Sequence, residues 1–364
     1  MLIDGSKIAA VGGRSSVPIP ENTRSIDCSG MTVTAGFWNS HVHFFERKWL
    51  DAANLPAPEL SLQLDDVFTR FGFTSVFDIG SMWTNTRVIR DRIESGDVRG
   101  PRIRSTGEGL VPPGALPPDL VLQMMGVMKF PAPEVADAPQ AADAARKLLD
   151  DGVDGIKMFV SSPRGGSLSG DVIQAAAGEA HLRGKPVFAH VNRGEDVLTA
   201  VRNGVDVIAH TTPSAGPWDE TIVKTMAERR VALTPTLTLW KFFSRHDRLS
   251  AHEQIVGTAV SQLRAWVASG GTVLFGTDLG AVDCDPTEEY VLMAAAGMTF
   301  PEILASLTTA PAERFGESTR LGRVAAGLAA DLVILKGDPS NDIRALGAVQ
   351  HTLRDGKVVT ESPV

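Results

Sequence analysis

Eight short apolar segments, each followed by a longer stretch with helical spacing, constrain this chain more than any other feature. The segments are 31–37, 74–79, 101–106, 155–160, 186–191, 206–211, 231–235 and 272–277, and helical periodicity stands out at 141–149, 171–182, 195–203, 219–229 and 250–268. Strands that alternate with helices lie parallel, joined by helical crossovers. Eight of them close a (β/α)8 TIM barrel. Gly152, Gly184, Gly204 and Gly270 follow helical stretches, where a left-handed residue ends a helix. The two ends of the chain have a different texture. Residues 1–35 and 318–364 read as short strands punctuated by Asp4-Gly5, Gly12-Gly13 and Asp355-Gly356. They predict one small β-sandwich, leaving 36–317 as the barrel. Residues 109–133, rich in Pro, Gly and Met, are expected to form an irregular loop over the barrel mouth, with Met124, Met125 and Met128 as a pliable apolar wall.

A chain of 364 residues suits one such barrel with a small appendage. The net charge of −8, without a run of Lys and Arg, argues against nucleic acid or an anionic membrane as partner. No apolar run approaches the roughly 18 residues of a membrane span. Asp4 and Lys7 fall where a signal peptide needs an apolar stretch. Cys28 and Cys284 are the only cysteines and cannot form a disulfide scaffold. The expectation is a cytoplasmic protein with free thiols that acts on a small molecule.

In a barrel of this kind the active site gathers at the C-terminal ends of the strands. Five of the eight predicted strand ends carry a group able to bind a metal. The first runs into His41-Val42-His43, the fourth carries Lys157, the fifth ends in His190, the sixth in His210 and the eighth in Asp278. This recurrence at one phase of a βα repeat is not what chance scatter produces. His41 and His43 lie two apart, so on a strand they share a face and can approach one cation. Alone, His-x-His is as readily a pair of exposed loop residues. Lys157 sits in an apolar strand, where a bare ammonium is costly. It either pairs with Asp154 or a loop acid, or reacts with CO2 to form a carbamate able to bridge two metals. His190 and His210, at successive strand ends, suit a second metal. Asp278 is a ligand, a general base or the N-cap of the next helix. His181, in a helix, and His246, His252 and His351, in polar loops or a hairpin, are not assigned to the site.

Together these motifs resemble the amidohydrolase superfamily, and most closely its imidazolonepropionase-like branch, which includes metal-dependent Xaa-Pro and Xaa-Arg dipeptidases. The likeness runs through 3–12, Val33-Thr-Ala-Gly36-Phe-Trp-Asn-Ser-His41-Val-His43, Gly152 to Lys157, Ala189-His190, Ala209-His210, Gly276-Thr277-Asp278 and 321–335. It implies a binuclear hydrolase that is a homo-oligomer. His41, His43 and Asp278 would hold one divalent ion, His190 and His210 a second, and a Lys157 carbamate would bridge them. Zinc is the expected ion, with manganese or cobalt as alternatives. The implied reaction is attack of an ion-activated water on an amide or peptide-type C–N bond, with Asp278 as proton shuttle. Lactones, carbamates and organophosphates are alternative substrates of the same site. A mononuclear deaminase or imidazolone-type ring hydrolase would not need the bridge at Lys157.

The chain departs from the family pattern in three places. Family members usually carry another strand or two ahead of Ile3-Asp4-Gly5, so either this start is shorter than usual or the sandwich is reduced and leaves an edge that needs cover. Asn39 stands where an aspartate is common, and Asn192 where related dipeptidases carry a histidine facing substrate. Asn192 is therefore a candidate to assist the oxyanion. Arg193, Trp83, Arg87, Trp240 and Lys241 are further substrate candidates, an Arg at the mouth being suited to a substrate carboxylate. The single tyrosine, Tyr290, leaves most loops without a phenol.

Overall fold

The computed structural model describes residues 1–361 except 14, 116–131, 163–165 and 280–284. Met124, Met125, Met128 and most of the expected loop at 109–133 therefore lie outside the described residues, as does Cys284. The chain begins with a hairpin of β1 (Leu2–Asp4) and β2 (Lys7–Ala10), followed by β3 (Met31–Ala35). The barrel strands come next: β4 (Phe37–Val42), β5 (Phe73–Asp78), β6 (Arg102–Ser105), β7 (Ile156–Phe159), β8 (Val187–His190), β9 (Val207–Ala209), β10 (Ala232–Thr234) and β11 (Thr272–Val273). Around them lie α1 (Ala57–Val67), α2 (Trp83–Glu94), α3 (Ala138–Asp150), α4 (Gly170–Leu182), α5 (Gly194–Arg202), α6 (Glu220–Glu228), α7 (Leu237–Phe243), α8 (Leu249–Ala268), α9 (Thr287–Ala295), α10 (Phe300–Leu307) and α11 (Thr309–Arg314). The chain ends in β12 (Leu332–Lys336), β13 (Val349–Arg354) and β14 (Lys357–Glu361).

Strands β4 to β6 and β7 to β11 form two parallel runs. Two seams close them into a barrel. Leu110, just past β6, bridges Met158 of β7, and Leu279, past β11, bridges Val42 of β4. The chain is thus an α/β TIM barrel with a small β domain, as the alternation of segments predicts. Inside the barrel, Phe77 of β5 and Phe188 of β8 meet with ring centroids 4.7 Å apart, although their strands are not neighbours. Trp38 and Phe315 complete this apolar plug, Phe315 lying 4.8 Å from Phe77.

The small domain draws on both ends of the chain. Strand β12 pairs antiparallel with β3 on one side and β13 on the other, and β14 closes the order. The first hairpin joins through a bridge of Lys7 to Ala329, and Ile8 packs with Leu332, Ile334 and Leu353.

Two strands depart most from the sequence reading: the expected strand at 272–277 is regular only over Thr272–Val273, and the first barrel strand starts later than expected. Segment 31–37 is not the first barrel strand. It splits at Gly36, with 31–35 in the small sheet and the barrel strand starting at Phe37. The cause is a close approach: a Cβ at Gly36 would lie 2.2 Å from the Thr74 hydroxyl oxygen, and the Gly36 N–H donates to the Asp331 carbonyl at 2.8 Å. Only a residue without a side chain passes between the two layers there.

Charge ties the layers together. Arg102 of β6, nearly buried, pairs with the carboxylates of Asp331 and Asp355. Asp331 also accepts the Asp355 N–H at 2.9 Å. Removing one partner of a buried pair strands the other charge. Asp331→Ala should therefore lower the unfolding free energy by about 3–5 kcal/mol, read as a shifted urea midpoint. An unchanged midpoint would remove this pair from the account of domain cohesion.

Candidate metal centre

The strand period and the barrel's curvature bring the predicted donors together at one end. His41 is the penultimate residue of β4, and His43 follows it. Lys157 lies in β7, His190 ends β8, and His210 follows β9. Asp278 lies between β11 and the seam at Leu279. His41 and His210 face each other with centroids 4.6 Å apart, His41 and His43 are 5.2 Å apart, and His190 and His210 are 4.8 Å apart. His41, His210 and Asp278, all buried, each offer a ligand atom within 4.8 Å of the others. His43 Nε2 lies 2.8 Å, and His41 Nε2 3.0 Å, from the same oxygen, Asp278 Oδ1.

These contacts constrain protonation. His43 Nδ1 is 3.2 Å from the Gly80 carbonyl, which can only accept, so this nitrogen carries the hydrogen. On the other side of the ring, His43 Nε2 lies against the Asp278 carboxylate oxygen. His41 Nε2 is buried near the same oxygen without hydrogen-bond geometry. Two imidazole nitrogens and a carboxylate oxygen brought this close call for a shared proton or cation. Burial favours the uncharged imidazoles: it pushes His41 down to about 3 and His190 down to about 4, and drives His210 well below its ordinary value. Burial alone would raise Asp278, but His41, His43 and His210 hold it well below the usual carboxylate range. Neutral imidazoles around one carboxylate are a donor set suited to a divalent metal.

The other nitrogens have fixed partners. His210 Nδ1 lies 2.7 Å from Thr236 Oγ1. Asn192 Nδ2 donates to the carbonyl and the hydroxyl of Ser161 at 2.9 and 3.0 Å. This leaves Asn192 Oδ1 facing His190 Nε2 at 3.2 Å. The amide therefore orients His190 and has no free donor for an oxyanion. Asn39 joins β4 to the Asp278 segment by donating to Thr277 Oγ1 at 2.8 Å. Lys157 is 1% exposed. Burial brings its amine down to about 7, against the opposing pull of Asp278 and Asp78. Asp154, its alternative partner by sequence, pairs instead with Arg90 at 3.0 Å and Lys185 at 3.8 Å.

The backbone is strained at the same place. His210, Thr236 and Asp278 all adopt left-handed φ, at 72°, 45° and 59°. Such conformations cost on the order of 1–3 kcal/mol each and cluster at functional sites. The next described helix, α9, has Pro286 at its N-cap, so Asp278 does not cap it.

Among the substrate candidates, Trp240 borders the site: its ring is 6.3 Å from His210 and its indole N–H donates to Thr211 Oγ1. Arg193 lies beside Asn192 but pairs with Asp196 at 3.2 Å. Trp83 and Arg87 are not brought to the site. Trp83 is buried in the helical layer, with its indole N–H on the Asp151 carbonyl at 2.9 Å and Arg90 stacked on its ring. Arg87 pairs along the outer face of α2 with Asp91 at 3.8 Å. Lys241 pairs with Glu288 at 2.7 Å. His252 lies in α8 rather than a loop, near Ser244 Oγ at 2.8 Å.

Three buried residues escaped the sequence reading. Asp78 ends β5, at the same phase as the donors, and that phase was the available signal. It accepts from Ser81, Thr86 and Ser105, while Ser81 in turn accepts from the Phe44 N–H. Thr236 and Glu289 gave no such signal, because each acts through a turn. Glu289 accepts from the Leu237 and Thr238 N–H groups, both at 2.8 Å, and so holds the start of α7.

An eight-stranded barrel with a donor-rich mouth defines an enzyme of the barrel hydrolase type. A profile of the amidohydrolase family matches residues 32–359, and the chain belongs to that family. Ochratoxinase of Aspergillus niger is 24% identical over 98% of this chain and 82% of its own length. A Xaa-Pro dipeptidase solved with methionine in its active site superposes with a TM-score of 0.84 at 24% identity, over 99% of this chain and 94% of that one. A prolidase solved with N-methylphosphonate-L-proline does so at 0.78 and 28% identity, with the same coverage.

Burial pushes the Glu289 carboxyl up from 4.5 to about 7 despite its donors. Between those values the folded chain keeps a proton that the unfolded chain releases. Stability should therefore fall across that window as pH rises, by roughly 3 kcal/mol in total. Urea unfolding from about pH 5 to about pH 8 should show this decline relative to Glu289→Gln. Parallel profiles would remove the assignment.

Proposed function

We propose that this protein is a metal-dependent amidohydrolase that cleaves an amide or peptide-type C–N bond of a small molecule. The observation that supports it best is the convergence of His41 Nε2 and His43 Nε2 on Asp278 Oδ1, at 3.0 and 2.8 Å, in a buried mouth. His41, His43 and Asp278 would hold one divalent ion, and His190 and His210 a second, with a Lys157 carbamate between them. Zinc suits imidazole and carboxylate donors. Bound there, the ions would lower the pKa of a water and draw charge from the scissile carbonyl. The names of the dipeptidase and prolidase relatives favour an amide substrate.

The chain's own residues supply the rest. An amine brought down to about 7 is substantially neutral at physiological pH. The Lys157 nitrogen would attack the carbon of CO2: an N–C bond forms, one C–O π pair moves onto oxygen, and the nitrogen gives up one proton to water. Asp278, kept ionised, receives the proton of the attacking water and passes it to the leaving nitrogen. Asn192 and Thr236 orient His190 and His210. Trp240 walls the substrate side and excludes water there.

The test is turnover of N-acyl amino acids and dipeptides after loading with zinc and bicarbonate. Elemental analysis should find near two ions per chain, a chelator should abolish activity, and zinc should restore it. Asp278→Asn should lower turnover by about 10²- to 10⁴-fold. Undiminished turnover in that variant would end the shuttle role, and full activity of metal-stripped protein would end the proposal.

A further inference from the structure

Residues Thr234-Pro235-Thr236 leave β10 over the mouth. Pro235 keeps Thr234 extended, and the Thr234 carbonyl accepts the His210 N–H at 2.9 Å. Thr236 then turns left-handed, with φ 45° and ψ 53°, and is fully buried. A β-branched residue is a genuine outlier there. Glycine would take the same turn without strain. The Thr236 side chain makes one contact that glycine cannot: its hydroxyl oxygen lies 2.7 Å from His210 Nδ1.

The turn is clamped from the opposite side. Glu289, buried in α9, accepts the Leu237 and Thr238 N–H groups at 2.8 Å each and the Thr238 hydroxyl at 2.9 Å. Helix α9 is also the next described helix after Asp278 in the chain. The segment carrying one donor of the centre thus leads into the helix that fixes the turn orienting another. With Nδ1 occupied, Nε2 is the His210 nitrogen left to approach His41 and Asp278.

We propose that Thr236 is a positioning residue: its hydroxyl, carried by a strained turn that Glu289 clamps, accepts the Nδ1–H of His210 and keeps Nε2 facing the ion. This rests on the metal-centre reading above. A partner of this type fixes the tautomer and ring orientation of a ligating histidine, and its loss weakens metal binding about 10- to 100-fold.

The experiment compares full-length wild type with Thr236→Ser, Thr236→Val and Thr236→Gly. Zinc affinity is read by competition with a chromophoric chelator, and Tm is read on the metal-free proteins. Thr236→Ser keeps the hydroxyl and should bind zinc like wild type. Thr236→Val keeps the shape and should lose about 10- to 100-fold in affinity. Thr236→Gly should lose affinity similarly while its metal-free Tm stays level or rises, because the strain is relieved. A residue of merely structural importance would lower Tm and affinity together. Wild-type affinity in Val and Gly overturns the role of Thr236 alone, and should the Val variant not fold, Gly decides the matter. A folded wild type that binds no zinc overturns the metal-centre reading, and this role with it.

Discussion

One carboxylate oxygen, Asp278 Oδ1, has two imidazole nitrogens within 3.0 Å and a third histidine close by. The arrangement is unfavourable without a positive charge to share. It is tolerated because the barrel over-determines it. His41 is pinned between neighbours within β4, His43 is tethered to the Gly80 carbonyl, and the Asp278 N–H donates to the His41 carbonyl at 2.9 Å. The left-handed backbone at His210 and Asp278 is a local cost of the same crowding.

Beneath the donors, the aromatic plug of Trp38, Phe77, Phe188 and Phe315 fills the barrel. It packs the barrel interior with apolar side chains, and burial is the leading influence on the charge states of the donors. Imidazoles become neutral, and the Lys157 amine is brought near neutrality. Asp78 remains in this medium because three hydroxyls donate to it. Because one of them also accepts the Phe44 N–H, the same carboxylate stitches the chain after β4 to the ends of β5 and β6. The chain belongs to the amidohydrolase family and shares its fold with a solved dipeptidase.

Much of this was legible beforehand. Apolar segments at a regular interval disclosed the barrel, and donors at one phase of that repeat disclosed the candidates for its mouth. Two kinds of information were not. The split at Gly36 depends on Thr74, a residue nearly forty positions away whose approach no local pattern encodes. The directions of side chains leaving a strand end depend on turn geometry. Trp83 and Arg87 follow a strand end just as Trp240 does, yet α2 turns Trp83 into the helical layer and Arg87 to solvent, whereas α7 keeps Trp240 beside His210. The partners that orient the histidines, Thr236 among them, are ordinary polar residues whose role exists only in three dimensions.

Period and phase are properties of the chain itself. They determined that parallel strands would form, that eight would close on themselves, and which residues would stand at their ends, because a strand's side chains alternate whatever surrounds them. Tertiary structure decided what those residues became. Only closure brings β4 opposite β9 and makes His41 and His210 neighbours, and only burial lowers both imidazoles and brings the Lys157 amine down to about 7. Burial and proximity across the barrel are collective quantities, and no single segment of the sequence carries them.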